Sequence, residues 1–117
     1  MAEEAVSARK PFWGFWGTVL RGALIVGAPL FEETFFRGFL FKGLEASFLG
    51  TVGAILVTAL LWASIHVQYE IHEMSQIFVF GLLLGAARVR TGSLLAPFLA
   101  HAMANFLATL ETAVMAS

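Results

Sequence analysis

The chain contains no cysteine, and none of its eight acidic residues is an aspartate. The first absence excludes disulfides, thiolate metal sites and cysteine nucleophiles together. The second rules out an aspartate dyad within the chain. Charge is scarce as well: 13% of the 117 residues are Asp, Glu, Lys or Arg, about half the share usual in soluble domains. The net charge of −1 offers nothing to a polyanion, so nucleic acid is excluded as a partner. No segment alternates apolar and polar residues, so strands are not expected. What fills the chain instead is apolar: 59% of the residues are hydrophobic and the mean hydropathy is +0.83. One domain of a membrane protein is the reading that results.

The N-terminal stretch "MAEEAVSARKPFWGFWG" starts with acidic charges and does not read as a cleavable signal. Phe12, Trp13, Phe15 and Trp16 read as an interfacial aromatic belt beside the basic pair Arg9 and Lys10, with an amphipathic surface tail as the alternative. Residues 1–13 are taken as a juxtamembrane tail, 14–113 as the core and 114–117 as a C-terminal tail. Within the core the apolar runs predict an all-α, polytopic fold of about four transmembrane helices, near 14–46, 50–66, 73–89 and 93–113. Gly50 and "RTGS" mark turns, and Ser93 is the expected N-cap of the last helix. Pro29 predicts a kink near Ala28, with a helix restart there as a further option. Gly81 and Gly85 form a small-xxx-small pair suited to close helix approach.

"FEETFF", residues 31–36, puts two carboxylates where lipid is expected. Ionisable residues inside membrane spans are rare and face the bundle interior. Apart from Arg21, read as snorkelling to an interface, the intramembrane polar set is Glu32, Glu33, Arg37, His66, His101 and Asn105. Glu33 and Arg37 are four apart, so an ion pair is expected between them, and Glu32, about 100° around the helix, is left free. His101 and Asn105 share a face by the same spacing, as do Trp62 and His66. Measured from one membrane side, Glu32 lies roughly 21 Å deep, His66 roughly 24 Å, His101 about 12 Å and Asn105 about 18 Å. Residues from three helices therefore fall in one layer. Glu32 with a histidine can deprotonate a water, and a second histidine with an asparagine amide can stabilise an oxyanion. The bland alternative is that these groups only bond helices together, and for Glu33 and Arg37 it is preferred. His72, Glu70 and Glu73 are read as loop residues.

"EETFFR", "WASIH" and "HAMAN" resemble the EExxxR, FxxxH and HxxxN motifs of the CPBP family, the CAAX prenyl endopeptidases and bacteriocin-processing or immunity-associated (Abi) proteins. Trp62 stands where that family has phenylalanine. The likeness runs from about residue 18 to 112. It implies an intramembrane endopeptidase in which Glu32 and His66 activate water, His101 and Asn105 form the oxyanion hole, and Glu33 and Arg37 support them. A metal-free mechanism is preferred, with no cofactor. Were Zn²⁺ involved, Glu32, His66 and His101 would be its ligands. The implied partners are membrane lipid and a peptide or protein substrate, a prenylated CAAX protein among the family possibilities, with other membrane helices or a second copy as further options. The implied location is the plasma membrane, multi-pass. Members of the family usually carry extra helices around this core, so a minimal member, a fragment or dependence on a partner is expected. The rivals are a non-catalytic immunity or scaffold protein and an ion or proton pathway.

Overall fold

In a computed structural model, which describes residues 14–116, the chain is all-helical, with no strand among the described residues. Four helices follow one another: α1, Gly14–Glu45; α2, Gly50–Ser64; α3, Ile71–Thr91; and α4, Leu95–Ala116. Their ends differ from the expected boundaries by a few residues. The expectations for residues 1–13, among them Arg9, Lys10, Phe12 and Trp13, lie outside the described residues; Phe15 and Trp16 are exposed and meet edge to face at 5.4 Å.

The connections follow from local chemistry. Gly50 and Gly92 adopt left-handed φ of 65° and 66°, a conformation that glycine enters without steric cost. The Gly92 N–H closes α3 on the Arg88 carbonyl, and Ser93 Oγ caps α4 by accepting from the Leu95 N–H at 3.0 Å, as its sequence position suggested. Between α2 and α3 the chain makes tight turns through His66 and Tyr69.

Pro29 does not restart the helix. Gly27 and Ala28 keep right-handed helical φ and ψ on either side of the expected break. The chain instead widens into π-helical turns at Ala23–Gly27, ahead of the proline, and again at Thr34–Leu40. Such turns absorb a missing donor without ending the helix. Glu32 and Glu33 lie on the short α-helical stretch between them.

The interior is small and inverted in polarity. Phe36, Trp62 and Leu84 form its apolar centre, with Leu40, Ile77 and Phe80 around them. Yet the largest fully buried side chain is Arg37. Only 6% of the apolar windows of α1 and α4 is buried, whereas the core helix of a soluble protein would be mostly covered. These two helices are long and apolar enough to cross a membrane. Charge-free α2 has 15 residues, about 22 Å at the α-helical rise. The α2–α3 contact is close because Gly81 and Gly85 face α2: a Cβ on Gly81 would lie 3.1 Å from Ala59 Cβ, and one on Gly85 3.1 Å from Ile55 Cγ2.

Candidate active site

Glu33 and Arg37 form the expected ion pair, Oε1 to Nη1 at 3.2 Å, with side chains 1% and 0% exposed. Arg37 also donates from Nη2 to the Gly81 carbonyl at 3.1 Å and lies over the Trp62 ring at 4.6 Å. α1, α2 and α3 thus meet on one guanidinium.

The pair is not self-contained. His101 Nδ1 lies 2.8 Å from the same Glu33 Oε1, and its Nε2 lies 3.3 Å from Glu32 Oε2. Carboxylate oxygen only accepts from an N–H, so the Glu33 contact fixes the proton on Nδ1 and turns the Nε2 edge toward Glu32. Glu32 is therefore not left free; it touches His101 while keeping 21% of its side chain exposed. The 100° between the two glutamates is spanned by one imidazole whose nitrogens face opposite ways.

His66 is fixed differently. Its Nδ1 lies 2.7 Å from the Trp62 carbonyl one turn earlier. A carbonyl can only accept, so Nδ1 carries the proton and Nε2 keeps a lone pair. The Trp62 ring meets both histidines edge to face, at 5.1 Å each, and separates them. Asn105 donates from Nδ2 to the Leu24 carbonyl of the first π-helical turn at 2.7 Å.

Glu32, His66 and Asn105, from three regions of the chain, line one open cavity of about 310 Å³, with Tyr69 and Gln68 at its rim. His101, 4% exposed, lies behind Glu32. Tyr69, stacked beside His66 at 6.3 Å, Gln68, the polar role of the Gly81 carbonyl and the central position of Trp62 were not singled out by sequence reasoning. The Trp62–His66 spacing was visible in the sequence; the loop side chains carried no signal. Glu70, the N-cap of α3, and His72 are exposed and do not line this cavity, and Glu73 is half-buried; His72 and Glu73 lie on the first turn of α3 rather than in the expected loop. Among the described residues no three His, Cys, Asp or Glu side chains gather as a metal-ion site, so Glu32, His66 and His101 do not form a ready ligand set.

A lipid-facing helical bundle that buries a carboxylate–imidazole–guanidinium cluster beside an open polar cavity defines a class of intramembrane protein. Within that class, the family model described as type II CAAX prenyl endopeptidase Rce1-like matches residues 12–107, and the chain belongs to that family. It is a membrane protein. An Escherichia coli relative described as an uncharacterized 24.3 kDa protein is 38% identical over 90 residues, 74% of this chain and 41% of the relative. The chain thus spans about two fifths of that relative's length. No solved structure gives a significant match.

Proposed function

We propose that the chain is the core of an intramembrane endopeptidase that hydrolyses peptide bonds with water activated by Glu32 and His66. The observation that carries this reading is the shared cavity: Glu32, His66 and Asn105 face one open space, and His101 backs Glu32. In the proposed reaction Glu32 takes a proton from water while the His66 Nε2 lone pair orients it. The water oxygen bonds to the carbonyl carbon, and the oxyanion that develops is met by Asn105 Nδ2–H; His101, whose Nδ1–H is held by Glu33, joins it only with a second proton on Nε2. Asn105 has two amide hydrogens and uses one on Leu24, which leaves one to donate. Glu32 then passes its proton to the amide nitrogen, the C–N bond breaks, and a carboxylic acid and an amine leave. Glu33 and Arg37 act through His101 as positioning residues. No metal is needed in this scheme. The location proposed is the plasma membrane, with α2 and α3 completing a multi-pass bundle alongside α1 and α4. A prenylated CAAX-type protein is one substrate consistent with the family.

A non-catalytic scaffold is the rival reading, favoured by one observation: the Asn105–Leu24 bond ties α4 to α1 as structural polar residues do. Cleavage of a membrane-tethered reporter peptide library separates the two. Wild type should cleave, and Glu32→Gln should lose about 10²–10⁴-fold in kcat, the contribution of a positioned base. Well-folded wild type that cleaves nothing, in the library or in native membranes, would leave the scaffold.

A further inference from the structure

Arg21 has no partner among the described residues. It sits 11 positions before Glu32 on the same helix, where the chain is otherwise apolar. Its sequence position alone suggests snorkelling to an interface. In the structure Arg21 lines a cleft of about 370 Å³ between α1 and α4, together with Leu24, Ala108, Thr109 and Thr112. Leu24, Ala108 and Thr109 also line the cavity that holds Glu32, His66 and Asn105. The two spaces therefore adjoin along these three residues, with Glu32 in one and a guanidinium in the other.

The chemistry of the Arg21 cleft is asymmetric. Its α4 wall is built of small side chains, and the hydroxyls of Thr109 and Thr112 are turned back onto the Asn105 and Ala108 carbonyls. That leaves Arg21 as the charged group in the cleft. A guanidinium presents a planar fork of donors that matches a carboxylate bidentately. Eleven residues of helix place it about 16 Å from Glu32, a length that about five residues of extended peptide span.

We infer that this cleft is a substrate subsite in which Arg21 binds a peptide carboxylate, from a Glu or Asp side chain or a C-terminus, about five residues from the scissile bond. The inference rests on the endopeptidase reading for the word "scissile", but the binding it describes needs no hydrolysis. The shared wall with the cavity that holds Glu32 favours a peptide over a lipid headgroup as the occupant. A lipid phosphate would meet Arg21 without any reason for the cleft to adjoin that cavity.

The test uses the full chain carrying Glu32→Gln, in nanodiscs of neutral phosphatidylcholine. The probes are membrane-tethered fluorescent peptides that differ only in where a single Glu, Gln or Lys is placed. One register should bind about tenfold more tightly with Glu than with Gln, the scale of a charge-assisted hydrogen bond. The preference should vanish in Arg21→Gln and turn toward Lys in Arg21→Glu; Arg21 is exposed, so both variants should fold. A preference that survives Arg21→Gln, or none at any register, overturns the subsite. So does a result in which Arg21→Gln alters only the uptake of phosphatidylglycerol and leaves peptide binding unchanged, because that assigns Arg21 to a headgroup. Binding preference without cleavage by wild type would refute the endopeptidase reading and keep the subsite. Cleavage without preference would do the reverse.

Discussion

Glu33→Gln is the substitution whose cost the structure lets one work out. Glu33 is 1% exposed, and its Oε1 accepts from both Arg37 Nη1 at 3.2 Å and His101 Nδ1 at 2.8 Å. Glutamine keeps the shape and one accepting oxygen but removes the charge. Arg37, 0% exposed, then holds an uncompensated cation. Breaking a buried pair from one side costs about 3–5 kcal/mol. Arg37 retains the Gly81 carbonyl and the face of Trp62, which moves the expectation to the lower end, about 3 kcal/mol. Glu32→Gln, at a position 21% exposed and without a hydrogen-bonded cation of its own, should cost under about 1 kcal/mol. Reversible unfolding in mixed detergent, followed by helical circular dichroism, measures both. The double variant Glu33→Leu with Arg37→Leu leaves no buried charge at these positions. It should recover much of the loss, and with the single variants Glu33→Leu and Arg37→Leu it closes a cycle whose expected coupling is about 2 kcal/mol. If Glu33→Gln unfolds with wild type, or the cycle couples by nothing measurable, the view of Glu33 as the hub of the cluster fails.

Three further outcomes follow from the same geometry. Strong chelators should leave peptide cleavage intact and elemental analysis should find no stoichiometric zinc; inactivation that added Zn²⁺ reverses would instead implicate Glu32, His66 and His101. Gly81→Ala should destabilise by about 1–3 kcal/mol through overpacking, since its Cβ would lie 3.0 Å from Arg37 Nη2 and 3.1 Å from Trp62 Cε3, whereas Gly43→Ala, with nothing within 4 Å, should stabilise by about 0.5–1 kcal/mol in the same unfolding assay. Asn105→Ala should lower kcat by about 10²–10³-fold with a smaller change in KM; cleavage at the wild-type rate would remove Asn105 from the oxyanion site.

What could be read from the sequence was what a single helix or turn decides. Glu33 and Arg37 pair because four residues on one helix share a face, and Gly92 with Ser93 ends one helix and caps the next through bonds to residues a few positions away. Contacts that depend on how helices rotate against each other were hidden. His101 reaches both glutamates because α4 presents the edge of its ring between them, and no spacing rule within α1 or α4 contains that rotation. The Gly81 carbonyl became a partner of Arg37 because glycine brings α3 close enough, so a weak sequence pattern acquired a polar function as well as a steric one. The span count was obscured for a different reason. α3 carries Glu73 near its start and Arg88 and Arg90 near its end, so its charge-free run is shorter than the helix itself.

The proline expected to break α1 has a more specific consequence, one that reaches Asn105. In the first π-helical turn the Ala28 N–H bonds to the Ala23 carbonyl, five residues back. The next bond in that register would run from residue 29 to the Leu24 carbonyl, but residue 29 is proline and has no N–H. Leu24 is thus denied that donor from its own helix, and its carbonyl accepts from Asn105 Nδ2 at 2.7 Å instead. A buried or lipid-facing carbonyl without a partner is costly, which makes this exchange favourable. Pro29→Ala restores the missing N–H and sets it in competition with Asn105 for one oxygen. The helix itself should gain stability, because proline inside a helix costs about 3 kcal/mol relative to alanine. The amide of Asn105, released from α1, should lose its fixed orientation and kcat should fall, while KM for a reporter peptide changes less. A Pro29→Ala protein that is more stable yet slower would show that the proline serves the site at the expense of the helix. One that is equally fast would show that Asn105 does not depend on Leu24 for its orientation.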